Sequence, residues 1–312
     1  MKKEEKEENR KNERECAMNR KTKAAYPLPF ESDMAKERCP KEGASQGVFH
    51  TENKEEYYTL TEVRVTRPKA AERLGRPMGE YATLQFASVP LLTRQAQGEI
   101  ESGVAALLRK LVPSTVRRLL VVGLGNRRMT VDSIGPRVAE GVTATAVLSG
   151  ALTAESLSPP THLISVFCPD VYGETGMETT ALVKAAVSLT RAQAILAIDA
   201  MATATPSHLL RAIEVTDTGT APGAGIGNRR LPLSRETVGV PVIAIGIPTM
   251  MRARPRLRRA LVDFGVEAGH ADSYAKREEG LLLIPSALEE GVATLSRLTS
   301  RAINASFGIG VE

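Results

Sequence analysis

The run Arg117-Arg118-Leu119-Leu120-Val121-Val122-Gly123-Leu124-Gly125-Asn126 leaves the chain few ways to fold. Its first part is apolar, β-branched in the middle and ended by glycine, the pattern of a short strand buried on both faces. Arg127-Arg128-Met129-Thr130-Val131-Asp132-Ser133-Ile134-Gly135-Pro136 follows, and then an alanine- and valine-rich segment of helical character. A buried strand, a glycine turn and a helix start make the usual place for a site in an α/β protein, outside the carboxyl ends of the strands. Asp132 falls at that edge, near a helix N-terminus that favours negative charge. Two roles fit it: a helix cap, which Thr130 would serve equally, or one half of a carboxylate pair. Gly123-Leu124-Gly125 hints at dinucleotide binding, but Arg128 stands where the third glycine of G-x-G-x-x-G belongs, and that signal is set aside.

The same α/β rhythm runs through the rest of the chain. Strands are predicted at 119–124, 162–168, 194–198, 212–216 and 241–247, with helices over 132–142, 178–190, 251–265 and 285–307. The last helix carries Leu288, Val292, Leu295, Leu298 and Ile303 on one face. Ordered structure is expected to begin near Tyr57, with strands over 58–66 and 80–89, a helix over 68–74 closed by Gly75, and a helix over 97–112. This pattern predicts a three-layer αβα fold with a mainly parallel or mixed sheet, plus a small N-terminal β-containing part. Residues 221–230, glycine-rich with Arg229 and Arg230 at the end, read as a cleft-shaping or anion-cradling loop, or as a plain surface connection. Residues 1–25 are dense in charge without apolar periodicity, and read as a disordered, removable extension.

Composition removes several function classes. No run approaches the ~20 apolar residues of a membrane span, and the charged N-terminus lacks the apolar centre of a secretory signal, so a cytoplasmic protein without membrane contact is expected. Cys16, Cys39 and Cys168 form no C-x-x-C pair, and the four histidines lack metal-ligand spacing. Neither a G-x-S-x-G elbow nor a phosphate-binding P-loop is present. Net charge of +5 is only mildly basic, and at 4% aromatic content the stacking residues of a single-strand binder are scarce, so no direct nucleic-acid contact is expected. The chemistry must come from carboxylates, with no metal and no cofactor.

A second carboxylate meets the first. Ala194-Ile195-Leu196-Ala197-Ile198 runs straight into Asp199, which places that residue at the carboxyl edge of the sheet beside Asp132. Burial or a second charge nearby would raise one pKa and leave an acid and a base near neutral pH. Such a pair holds and activates water against a carbonyl. The plainer alternative makes Asp199 a cap for the next helix.

Five stretches together resemble the germination protease (spore endopeptidase) family: Leu120-Val121-Val122-Gly123-Leu124-Gly125-Asn126 with Thr130, Asp132 and Gly135-Pro136; Gly173-Glu174-Thr175-Gly176-Met177-Glu178-Thr179; Ala197-Ile198-Asp199-Ala200; Pro222-Gly223-Ala224-Gly225-Ile226-Gly227-Asn228; and Pro241 through Thr249. The resemblance implies an endopeptidase that degrades small acid-soluble spore proteins during germination, in the forespore or spore core. It also implies a self-processing zymogen, a homotetramer, and a phosphorylase/hydrolase-like αβα fold related to the hydrogenase maturation endopeptidases. Carried over by motif, the catalytic residues are Asp132 and Asp199.

The resemblance gives the N-terminal region a meaning as well. Family propeptides are cut after an acidic residue that precedes an apolar residue and alanine, and Ser32-Asp33-Met34-Ala35 matches. Self-cleavage is therefore expected between Asp33 and Met34, dividing the chain into a disordered propeptide, 1–33, and a single α/β peptidase domain, 34–312. An acidic residue before the cut calls for a cation to receive it, and Arg127, Arg128, Arg229 and Arg230 are the candidates. Val131 stands where the family usually has proline, and the Arg127-Arg128 pair is unusual there. Two other readings use the same residues: a metal-assisted maturation-type endopeptidase with both aspartates as ligands, and a catalytically silent relative that only binds spore proteins.

Overall fold

Elements in chain order are α1 (Ala35–Arg38), β1 (Val48–Lys54), β2 (Tyr58–Val65), α2 (Pro68–Leu74), β3 (Gly79–Phe86), α3 (Arg94–Leu111), β4 (Arg118–Gly123) and α4 (Ile134–Glu140). They continue with β5 (Leu163–Phe167), α5 (Tyr172–Thr175), α6 (Thr179–Thr190), β6 (Ala194–Ala202), β7 (Ala212–Thr216), α7 (Arg235–Val238), β8 (Val242–Arg252), α8 (Ala253–Asp263), α9 (Ala268–Ala275), β9 (Leu282–Leu283) and α10 (Leu288–Phe307). The structure is a computed structural model that describes residues 32–39, 47–150, 162–221 and 231–307. These all fall in one compact unit, Glu31–Glu312.

The sheet runs in the order β1-β2-β3-β7-β8-β6-β4-β5, with β9 paired to the end of β8. From β8 to β5 the neighbours are parallel. From β1 to β8 they are antiparallel. The expected mixed sheet is thus present, its N-terminal β part fused to the parallel half through β7.

Alternation along the central strands builds the three layers. Leu119 and Val121 of β4 and Leu196 and Ile198 of β6 enter one core with α3, α4 and α10. Leu120, Val122, Ile195 and Ala197 enter the opposite core with α6 and α7. A strand covered on both faces must be apolar at every position, which is why these runs read as continuous. The predicted faces of two helices are the ones buried: Ile100, Val104 and Leu108 on α3, and Val292, Leu295 and Ile303 on α10.

Several elements differ from expectation. β1 precedes the predicted start of order. Only Val48 of its seven residues is buried, so an edge strand of Phe49-His50-Thr51-Glu52-Asn53-Lys54 carries no hydrophobic alternation to detect. β6 runs to Ala202 and β8 to Arg252, each past its predicted end, because a polar residue at a ligand-facing position does not stop backbone pairing. The single helix predicted over 251–265 is the shorter α8, with α9 separate beyond it.

Candidate active site

The turn after β4 presents Asp132. Asn126 donates its backbone N–H to Asp132 Oδ2 at 2.8 Å, which closes the loop upon its own carboxylate. Residues Thr130–Asp132 form a single 3-10 turn, and buried Thr249 of β8 donates its hydroxyl to the Val131 carbonyl at 2.6 Å. Asp132 is not a cap: α4 starts at Ile134, preceded by Ser133, and no side chain caps it. The glycines that hinted at a dinucleotide have another purpose. Gly125 has φ +112°, and a Cβ there would lie 2.1 Å from the Asp132 carbonyl oxygen. At Gly135 a Cβ would lie 2.2 Å from the Leu124 carbonyl oxygen, so only glycine lets α4 seat against the strand ends.

Asp199 lies inside β6 rather than just after a strand. Gly123, the last residue of β4, pairs with Ile198, so Asp199 is the first residue of β6 beyond the end of its neighbour. On the other side it pairs with Gly246 of β8, whose further neighbour is Glu214 of β7. Thr220 donates its hydroxyl to Asp199 Oδ2 at 3.3 Å. Asp132 and Asp199 line one cavity of about 350 Å3, together with Asp33, Asp170, Glu214 and Arg76.

Electrostatics separates the two aspartates. Burial, with the charges of Asp132 and Asp33 adding to it, pushes the Asp199 pKa up to about 7 against the opposing bonds from Thr220 and the Ala200 N–H. Burial raises the Asp132 carboxyl as well, but the Asn126 N–H works against that rise. Burial thus raises both carboxyls, and Asp199, brought to about 7, is poised to exchange a proton near neutral pH.

The third aspartate brings the chain's own N-terminal segment to the cavity. Asp33 donates its N–H to the Ala202 carbonyl and accepts the Ala202 N–H on Oδ2, both at 2.8 Å. Met34 is fully buried against Met201 and Ala212, and its N–H donates to Ser32 Oγ at 3.0 Å. The Ala35 N–H reaches Glu214 Oε2 at 2.8 Å.

A family model described as germination protease matches residues 29–268 of this chain. The chain belongs to the germination protease family. The germination protease of Caldanaerobacter subterraneus subsp. tengcongensis is 34% identical over 72% of this chain and 70% of its own length. That of Bacillus mycoides is 36% identical over 70% of this chain, and the match spans only 60% of the relative's length. Among solved structures, the NiFe hydrogenase maturation protease HycI of Thermococcus kodakarensis is similar over 64% of this chain and 99% of its own, at 16% identity and a TM-score of 0.34.

Within this germination protease relative, the carboxylate of Asp33 is met by a backbone N–H rather than by a predicted arginine. Arg127 and Arg128 do not line the cavity: both are exposed, the first paired with Glu140 and the second with Glu174. Arg229 and Arg230 lie outside the described residues. The cation that does line the cavity is Arg76, bound to buried Glu214 at 3.2 Å. Sequence reasoning missed Arg76, Glu214 and Asp170. Asp170 has φ +60° and stands three residues past the end of β5, and an aspartate soon after an apolar strand was the available signal. Among the described residues no group of three or more His, Cys, Asp or Glu is arranged to hold a metal ion.

Proposed function

We propose that this chain is an endopeptidase of spore germination, made as a zymogen that cuts itself between Asp33 and Met34 and then degrades small acid-soluble spore proteins. The observation that carries this reading is the presence of Asp33 in the cavity of Asp132 and Asp199, with Met34 buried beside it. The bond matched to the family's processing site on sequence grounds thus follows a residue that lines the same cavity as the two matched aspartates, from which it is separated by about a hundred residues or more of chain.

In this mechanism Asp132, ionised, takes a proton from water as the water oxygen bonds to the Asp33 carbonyl carbon. Asp199, protonated, gives its proton to the carbonyl oxygen as charge develops there. Collapse of the tetrahedral intermediate breaks the bond to the Met34 nitrogen, which leaves as an amine with the proton held by Asp132. One hydroxyl of the intermediate returns its proton to Asp199, and Asp33 keeps the new carboxyl group. Ser32 Oγ, already accepting the Met34 N–H, orients the leaving nitrogen.

The reading extends to a homotetramer in the spore core. Exposed Leu281, Leu282, Leu283, Ile284 and Phe264 support self-association, because apolar side chains left in water favour a partner surface. No helix among the described residues is long and apolar enough to cross a membrane.

The test is incubation of the full-length chain, alone and with a small acid-soluble spore protein, with and without chelator. Mass spectrometry reads the new N-terminus, and native mass reads the assembly. Asp132→Asn and Asp199→Asn are each expected to slow both cuts by roughly a hundredfold to ten-thousandfold. Undiminished cutting by either variant would remove that residue from the mechanism.

A further inference from the structure

The hold on the N-terminal segment is strongest four residues past the proposed cut. Glu37 is 6% exposed in its side chain, and its carboxylate accepts from the Thr203 hydroxyl at 2.6 Å, the Ala204 N–H at 2.8 Å and the Thr205 N–H at 3.1 Å. It also meets Nδ1 of His208 at 2.5 Å, and that imidazole is equally buried. A buried carboxylate is costly unless its lone pairs are filled, and here both oxygens are. Burial works to raise the Glu37 pKa, yet bonds from His208, Ser32, Thr203 and Ala204 bring it down to about 2.

Apart from Ser32, every donor in this clamp comes from the stretch soon after Asp199. Asp33 is held by Ala202, and Glu37 by residues 203–208. The proposed acid and the residues that grip the segment therefore share one continuous piece of chain, β6 and the turn beyond it. Such a clamp fixes the distance along the backbone from Glu37 to the bond facing the aspartates. Between the two grips, Met34 fills an apolar niche and Ala35 a tight one among Val63, Val65 and Tyr81, so the segment has little freedom to slip.

We infer that the turn from Thr203 to His208 is a register clamp: it receives an acidic side chain at the fourth position after the scissile bond and so selects which bond is cut. The inference rests on the self-cutting peptidase reading. It makes His208 and Thr203 positioning residues, which act through the polypeptide they hold. After the cut the chain's own Glu37 stays attached to the enzyme, so the clamp reads an acidic side chain in substrates supplied from outside once that new N-terminal segment has withdrawn from it.

The test uses the full-length chain after self-processing, with peptides copying residues 30–41 of its own sequence. Charge-assisted bonds of this kind make Glu37→Gln in the peptide lower kcat/KM by about 10- to 100-fold. In enzyme carrying His208→Gln or Thr203→Val, that penalty shrinks to a few-fold, and cutting spreads from the bond between Asp33 and Met34 to neighbouring bonds. Two separate variants, each checked for native circular dichroism, guard against loss of folding at a buried site. If the chain cuts itself but cuts both peptides equally, or neither, the clamp is not a substrate receptor and the peptidase reading stands. If neither the chain nor the peptides are cut, the peptidase reading falls and the clamp falls with it.

Discussion

Two aspartates at the same sheet edge differ in how tightly they hold a proton because of what touches them. Asp199 has apolar core beneath it and two further aspartates facing it, whereas Asp132 has a backbone N–H aimed at one oxygen. The acid role of Asp199 needs its proton, so self-cutting should decline as pH rises through about 7. The opposite limb belongs to Asp132, which must be ionised. Processing of the full-length chain across pH 5 to 9, read by mass spectrometry, checks this profile. A rate that only climbs with pH would instead suit two ionised ligands of a metal-assisted enzyme. Both aspartates were legible from sequence because an apolar β-run points its terminus at the functional edge of a parallel sheet. The clamp on Glu37 was not, since Glu37 and His208 lie 171 positions apart and nothing local to either announces the other. Arg127 and Arg128 misled for a related reason: an exposed guanidinium looks alike in sequence whether it greets a substrate or pairs with Glu140 or Glu174.

At the level of elements, the site depends on how closely β4, its turn and α4 approach one another. Gly125→Ala would place a methyl group against the Asp132 carbonyl in a backbone region that alanine avoids. The expected cost is on the order of 3 kcal/mol of stability, with self-cutting lost because the carboxylate is displaced. Urea unfolding and the processing assay together check it. A control at exposed Gly98 of α3, where a Cβ would meet nothing within 4 Å, should leave self-cutting unchanged and not lower stability. The strand, the turn and the helix were visible in the sequence, since burial on both faces and glycine leave marks that do not depend on distant partners. The extension of β6 past Asp199 was not visible, because Asp199-Ala200-Met201-Ala202 reads as the start of a loop unless β8 is known to continue alongside it.

Across the whole molecule, the sheet joins two kinds of order. Its parallel half supplies Asp132 and Asp199, and its antiparallel half, through β7, supplies Glu214 and supports the docked segment. Docking is pH-sensitive in a definite direction. The folded Glu37 pKa, about 2, lies below its ordinary 4.5, so the stabilisation is complete above 4.5 and is lost as pH falls toward 2. The methyl resonance of buried Met34 should therefore move to its solvent-exposed position within that window. In Glu37→Gln the release should already be evident at neutral pH. A Met34 signal unchanged down to pH 2 would mean that apolar contacts alone hold the segment. The mixed sheet was readable in outline, but the edge strand β1 was not, for want of buried residues, and neither was the docking, which exists only once distant pieces are folded together.

The lodging of Asp33 and Met34 beside the aspartates has a kinetic meaning. On the self-cutting proposal, the bond to be broken is delivered by its own chain, at an effective concentration no freely diffusing substrate reaches. Its first cut is then a unimolecular event whose half-life is written into each molecule and is indifferent to how many others surround it. Later cuts on other proteins are bimolecular and scale with supply. On that proposal one active centre would work first as a timer and afterwards as a consumer.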